Sequence, residues 1–244
     1  MEKLALQYQG KAKKLYATED PNVLWVEYLN QATALNGLKK DEIKGKGILN
    51  NAITSLIFQE LSAAGIASHF IEKISESEQL VQKVTIVPLE VVVRNYAAGS
   101  FTKRLGLAEG TKLAQPIVEF YYKNDDLADP LINDDTVLAL NLATATEIAT
   151  IKDAARQVNE VLIALFHHLK IRLIDFKIEF GRDTTGAILL ADEISPDTCR
   201  LWDETTNEHL DKDIYRRDLG ELVPVYQEVL RRLENNQEEK TCIL

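Results

Sequence analysis

At 244 residues, with 45% hydrophobic and 27% charged side chains, the chain has the balance of a folded soluble protein of one large domain or two intimate ones. Its 28 Lys and Arg against 38 Asp and Glu leave a formal net charge of -10. That balance repels nucleic acid and anionic membranes overall, yet leaves room for a local basic pocket. Two cysteines, Cys199 and Cys242, are too few for a disulfide framework, and a reducing, cytoplasmic location is the simplest expectation. The opening "MEKLALQYQGKAKKLY" lacks the apolar run of a signal peptide. No uncharged apolar stretch approaches the length of a membrane helix, and "KTCIL" leaves only two residues after Cys242, which is not a prenylation box.

Residues 4–30 read as short strands, with Gly10 at a bend and "EDPN" as a turn. From Lys46 to Ala64 the apolar residues Leu49, Ile53, Leu56 or Ile57, and Leu61 fall about one helical turn apart, and Gly65 follows as the C′ residue. "SHFIEKI" and "QLVQKVTIVPLEVVVRNYA" return to strand. The continuous run Val91–Val93 predicts a strand covered on both faces, with Pro88 at its beginning or at an edge. A short helix in "AAGSFTKRLGLAEG", a short strand in "EFYYKND" and the polar loop "DDLADPLINDD" come next. Ile148, Ile151, Ala155, Val158, Leu162, Leu165 and Leu169 then step by threes and fours, a long amphipathic helix behind a Thr144/Glu147 capping box. "RLIDFKIEFG" and "GAILLADEIS", with "RDTT" between them, predict a β-hairpin. A helix over about Leu219–Leu233 and a loose polar tail end the chain. Strand-rich first and helix-rich second, the order fits an α+β fold. The expected division is a β-rich lobe with one helix over 1–95, an α+β lobe over 96–234 and a tail over 235–244.

The hairpin carries the clearest chemistry. In "DFKIEF", Lys177 and Glu179 share one face and Phe176, Ile178 and Phe180 the other. On the partner strand Leu190 and Asp192 share a face, so an apolar stripe ends in a carboxylate. Carboxylates from paired strands can hold a divalent cation, although a Lys/Glu pair is equally the mark of a solvated face. In the following "DEISPDTCR", Arg200 can meet an anion. Arg94 leaves a strand toward Ser100 at a helix start, and arginine offers a donor fork to phosphate or carboxylate. Lys11, Lys13 and Lys14 beside Gly10, and Lys46 between Gly45 and Gly47, are weaker signals, since the P-loop and GxGxxG spacings are absent. The four histidines show no metal-ligand spacing, and Cys199 has no evident base.

Taken in order, "YQGKAKKLY", "KGKGILNN", "VPLEVVVRNYAAGS", "KNDDLADPLIND", "DFKIEFG", "LADEISPDTCRLWD" and "LDKDIYRRDLG" resemble the phosphoribosylaminoimidazole-succinocarboxamide synthase (SAICAR synthetase) family from residue 8 to 220. The resemblance implies a two-lobed ATP-binding architecture. It also implies a ligase that joins L-aspartate to a carboxyaminoimidazole ribonucleotide at the expense of ATP. By the motif matches, Lys11, Ala12 and Lys13 would lie along the ATP phosphates, and Lys83, Ile86 and Glu90 would border the adenine. Glu179 and Asp192 would hold Mg2+. Arg94, Ser100, Lys177, Ser195 and Arg200 would meet the ribonucleotide. Lys177, Arg94 and Asp129 of the acidic loop are the residues expected at the reacting groups. Asn36 departs from the acidic residue that family members often carry there. A small-molecule kinase and a non-catalytic nucleotide-binding module are the rival readings. A monomer and a symmetric homodimer both fit the sequence.

Overall fold

The structure, a computed structural model, describes residues 1–34 and 39–243, so Asn36 lies outside the described residues. The β-rich start builds a five-stranded sheet ordered β1-β2-β3-β7-β6. Its strands are β1 (Lys3–Gln9), β2 (Lys13–Thr18), β3 (Val23–Tyr28), β6 (Phe70–Lys73) and β7 (Glu78–Gln82). Between β3 and β6 lie the small ladder β4 (Gln31–Ala34) and β5 (Lys39–Glu42), then helix α1 (Lys46–Ala63). α1 ends as its glycine predicts. Gly65 takes φ 82°, its N–H donates to Ser62 O at 2.9 Å, and the Ile66 N–H reaches Leu61 O at 3.0 Å. Those two bonds close a Schellman motif that an L side chain at position 65 would strain.

The second sheet begins with β8 (Thr85–Tyr96) and is ordered β10-β9-β8-β11-β12, with β13 on another stretch of β11. α2 (Ser100–Leu105) follows β8, and β9 (Lys112–Tyr122) runs well beyond the short strand expected. The acidic loop holds a 3-10 turn at Asp125–Leu127, β10 (Leu131–Ile132) and α3 (Asp134–Ala139). Then come α4 (Ala145–His168), β11 (Ile171–Arg182), β12 (Ile188–Ala191), β13 (Cys199–Asp203), α5 (Asp213–Arg216) and α6 (Leu222–Ile243). Because β8 bonds only within this second sheet, the chain passes between sheets at Lys83–Val84 and not at residue 95. The 235–244 tail is also corrected: α6 continues to Ile243, since Gln, Glu and Lys are good helix formers.

One face of the second sheet is dry. Val87, Leu89, Val91 and Val93 of β8 join Phe176, Ile178 and Phe180 of β11 under α1, α4 and α6. Fully burying side chains of this size contributes roughly 1.5–3 kcal/mol each. The strand covered on both faces, expected from Val91–Val93, is corrected by this alternation. Val92 is only half-buried and points with Glu90 and Arg94 to the other face, which lines a cleft. Pro88 sits inside the central strand, neither at its start nor at a sheet edge. It lies where the β8–β11 register shifts, between the Glu179↔Glu90 and Gly181↔Ile86 pairs, and before the β9 ladder begins at Leu89. A residue without an N–H is tolerated at such a break.

α4 is capped as its sequence predicts. Thr144 Oγ1 accepts from the Glu147 N–H at 3.2 Å, and Glu147 Oε2 accepts from the Thr144 N–H at 2.8 Å. Arg182 at the end of β11 donates to Glu147 at 2.5 Å. The Arg182 hydrogen bond, opposed by some burial and joined by Thr144, lowers the Glu147 pKa from 4.5 to about 2. A depressed carboxylate pKa gives stability that is present above the unfolded value and lost as pH falls through the folded one. Glu147→Ala is therefore expected to lower unfolding stability by about 1 kcal/mol at pH 7. The gap from wild type should close between pH 4.5 and about 2, as read by urea unfolding across that range.

Candidate active site

The cleft face of the second sheet follows from the strand registers. Asp175, Lys177 and Glu179 of β11 stand opposite Arg94, Val92 and Glu90 of β8. Glu119 and Tyr121 of β9 extend the row beyond Val92 and Glu90. Every second residue therefore faces one cleft, and the intervening residues face the core.

Two cavities open on this row. The first, about 390 Å3, lies between the sheets. Leu15, Leu24, Val26, Val81, Val84 and Ile86 give it an apolar wall, and Lys13, Lys123, Glu179 and Asp192 close one end. An apolar slot with a charged end suits a flat base that carries phosphates. The second cavity, about 280 Å3, is polar and is lined by Glu90, Val92, Arg94, Ser100, Lys177 and Arg200 among others.

Lys177 is the partition. Its Nζ donates to Glu179 Oε1 at 2.7 Å and to Asp192 Oδ2 at 3.0 Å, and stands 3.7 Å from Glu90. Lys13 donates to Asp192 Oδ1 at 2.5 Å and lies 3.1 Å from Glu193. Lys123 donates to both oxygens of Glu179 at 2.6 Å. Burial pulls the Lys13 and Lys177 ammoniums down, but the carboxylates beside them outweigh it and hold both above their ordinary values. Burial pushes Asp192 up, and Lys13 and Lys177 hold it well below the usual carboxylate range. Burial, opposed by Lys177 and helped by Glu179, raises Glu90.

Asp192 reaches this cluster by an unexpected route. Leu190 pairs with Phe180 and belongs to the core, so strand alternation would send Asp192 there as well. The shared face expected for Leu190 and Asp192 is thus corrected. β12 stops at Ala191, and Asp192 takes φ 63°, a left-handed backbone that turns its carboxylate toward Glu179.

The polar cavity is built on paired arginines. Arg94 donates to Asp175 at 2.7 Å, to Glu119 at 2.8 Å and to the Tyr121 hydroxyl at 3.0 Å. Arg200 donates to Asp175 at 2.9 Å and to Asp213 at 3.0 Å. Gly99, with φ 57°, precedes α2, and a Cβ there would come within 2.5 Å of the Arg200 guanidinium. Glycine lets Arg200 lie against the start of the helix that carries Ser100.

Not every expected residue meets a cavity. Lys11 bonds Asp125 of the acidic loop at 2.7 Å, bridging the two sheets. The Ala12 carbonyl accepts from the Leu29 N–H. Ile86 lines the apolar cavity, whereas Lys83 is exposed at the crossing between sheets and Glu90 lines the polar cavity instead. Asp129 accepts from the Asn124 N–H at 2.8 Å and shapes its own loop. Ser195 is 1% exposed, and its hydroxyl is spent on Glu193 and the Asp197 N–H. Lys46 is fully buried on Asp197, which also accepts from the Tyr226 hydroxyl at 2.6 Å. Lys123, Asp175, Glu119 and Asp213 went unmarked in the sequence, and their period-2 or loop positions beside charged partners were the only signal. His209, Asp211 and Asp213 do gather within 4.8 Å. Asp211 accepts the Leu201 and Asp213 N–H groups, and Asp213 is paired with Arg200 and Arg216, so this knot holds the chain together. Among the described residues no helix is long and apolar enough to cross a membrane.

An apolar slot and an arginine-lined polar pocket that meet at Lys177 suit an enzyme that sets a nucleotide against a second, anionic substrate. The SAICAR synthetase family model matches residues 6–233. The phosphoribosylaminoimidazole-succinocarboxamide synthase of Enterococcus faecalis is 66% identical over 96% of this chain and 98% of its own. That of Bacillus cereus is 59% identical over the same shares. The crystal structure of the Ehrlichia chaffeensis synthase superposes with a TM-score of 0.91 at 46% identity, over 96% of this chain and 98% of the other. A SAICAR synthetase solved in complex with ADP gives 0.91 at 47%, over 94% and 97%. The chain belongs to the SAICAR synthetase family.

Asp175 is the shared acceptor of two arginines. Asp175→Ala is expected to cost about 3 kcal/mol, the low end for an unpaired buried charge because Glu119 and Asp213 remain. Added inorganic phosphate should then raise the variant's melting temperature more than the wild type's.

Proposed function

We propose that the apolar cavity takes the adenine and ribose of ATP and the polar cavity takes the imidazole ribonucleotide, with the transferring phosphoryl group between them. The protein is an ATP-dependent carbon–nitrogen ligase of de novo purine biosynthesis. It joins L-aspartate to 5-amino-1-(5-phosphoribosyl)imidazole-4-carboxylate and gives the succinocarboxamide, ADP and phosphate. The observation that carries the assignment of substrates to cavities is Lys177, which lines the polar cavity while bonding the two carboxylates that close the apolar one.

The chemistry follows from the charges. A carboxylate is a poor electrophile, and its oxygen can attack the γ-phosphorus of ATP to give an acyl phosphate and ADP. The aspartate amine then adds to that carbonyl, loses a proton, and phosphate leaves as the amide forms. Both steps crowd anions together, and Lys13, Lys123 and Lys177 are placed to meet them. Arg94, Ser100 and Arg200 orient the ribonucleotide through its phosphate and carboxylate. Glu179 and Asp192 form an all-oxygen donor pair that suits Mg2+ and would hold it with the phosphates completing the shell. That ion, when bound, offsets charge on the phosphates. We place the enzyme in the cytoplasm, where its phosphorylated substrates are found.

ADP release should require L-aspartate when magnesium ATP and the ribonucleotide are supplied, and the succinocarboxamide should appear by mass in equal amount. Release without aspartate, and no coupled product, would make the protein a phosphotransferase. Lys177→Met and Glu179→Gln are each expected to lower kcat by about 100-fold or more with the fold intact by circular dichroism.

A further inference from the structure

Asp192 is a cleft carboxylate whose aim depends on a left-handed backbone, and something must hold that backbone. The stretch between α1 and β6 does part of this. The His69 N–H donates to Leu190 O at 2.8 Å, and the Leu190 N–H donates to Ala67 O at 3.3 Å. These two bonds fix Leu190, not the residue that turns. The His69 side chain reaches further along, and its Nε2 lies 3.2 Å from the Asp192 carbonyl oxygen. A carbonyl only accepts, so Nε2 carries the proton. The ring is 7% exposed and packs edge-on against Phe58, with centroids 5.8 Å apart. Its angle is therefore set by the α1 core, and α1 belongs to a different element set from the hairpin that bears Asp192.

We infer that His69 is a positioning residue: its Nε2–H holds the Asp192 peptide in the left-handed turn and so aims the Asp192 carboxylate at Glu179 and the phosphate end of the cleft. The inference rests on the reading of Asp192 as a ligand of the nucleotide-bound cation. A residue that only filled space at position 69 would have no need to donate, and the two functions are separable. Phe or Met keeps bulk without a donor. Gln places an amide N–H where the imidazole Nε2–H was.

The test is ADP binding by isothermal titration, with and without Mg2+, on the full chain. In wild type Mg2+ should tighten ADP binding. His69→Phe and His69→Met should each lose about tenfold or more of that metal-dependent gain, read as the ratio of each variant's ADP affinities with and without Mg2+, because His69 also lines the apolar cavity. His69→Gln should keep the gain within about twofold, and kcat should follow the same order. The inference is overturned if a donorless variant that folds keeps the whole gain. It is also overturned if His69→Gln loses as much of that ratio as His69→Phe. Asp192→Asn separates the two levels. If it loses the gain while His69→Phe keeps it, the positioning role is wrong; if it keeps the gain, the ligand reading of Asp192 fails and takes the inference with it.

Discussion

Compensation of carboxylate charge in a partly dry cleft is the constraint on which the rest of the structure depends. Glu90, Glu179, Asp192 and Glu193 converge between the two sheets, and an uncompensated carboxylate there would cost several kcal/mol. Lys13 comes from the first sheet, Lys177 from the second, and Lys123 from the start of the acidic loop. Each cation touches at least one acid of the hairpin region, so the acids have all three cations beside them only when both sheets and the loop are in place. Paired in this way, the lysines are in position to exchange a carboxylate partner for a phosphate oxygen. The dry face of the second sheet serves the same end, since α1, α4 and α6 fix β8 and β11 and thereby fix the spacing of the charged row.

Most of the fold was legible because its signals are local. The stripe of α4, its capping box, the glycine after α1 and the hairpin each lie within one element, and periodicity reads them directly. The failures share a cause. Pro88 falls inside a long strand, at a shift in ladder register. Sequence alone presents a proline as a strand end, because the partner strand that forgives it is far away in the chain. Val92 misled for a similar reason: an apolar residue looks buried on both sides until the cavity beside it is known. The end of α6 was read as loose because its residues are polar, yet Asn236 is buried against the body of the protein.

The site divides in the same way. Lys177 and Glu179 were legible as one face of a strand, and Arg94 as a charge leaving an apolar run. The family resemblance placed Asp192 and Arg200. What no local pattern held was the second partner of each group. Asp175 joins Arg94 to Arg200 across strands, and Lys123 meets Glu179 from a loop whose acids drew all the notice. Ser195 shows the converse, a hydroxyl read from an acidic turn that bonds Glu193 and the Asp197 N–H within that same turn.

The Lys11–Asp125 pair ties the turn between β1 and β2 to the acidic loop, and both side chains are more than half exposed. An ion pair in that setting is worth at most about 1 kcal/mol and is screened by ordinary salt. A tight clasp there would slow the escape of a bulky product that bears a phosphate and three carboxyl-derived groups. A weak one joins the loop to the first sheet without locking it there. The join between the first sheet and the acidic loop is therefore tuned by salt, while the buried pairs behind it are not.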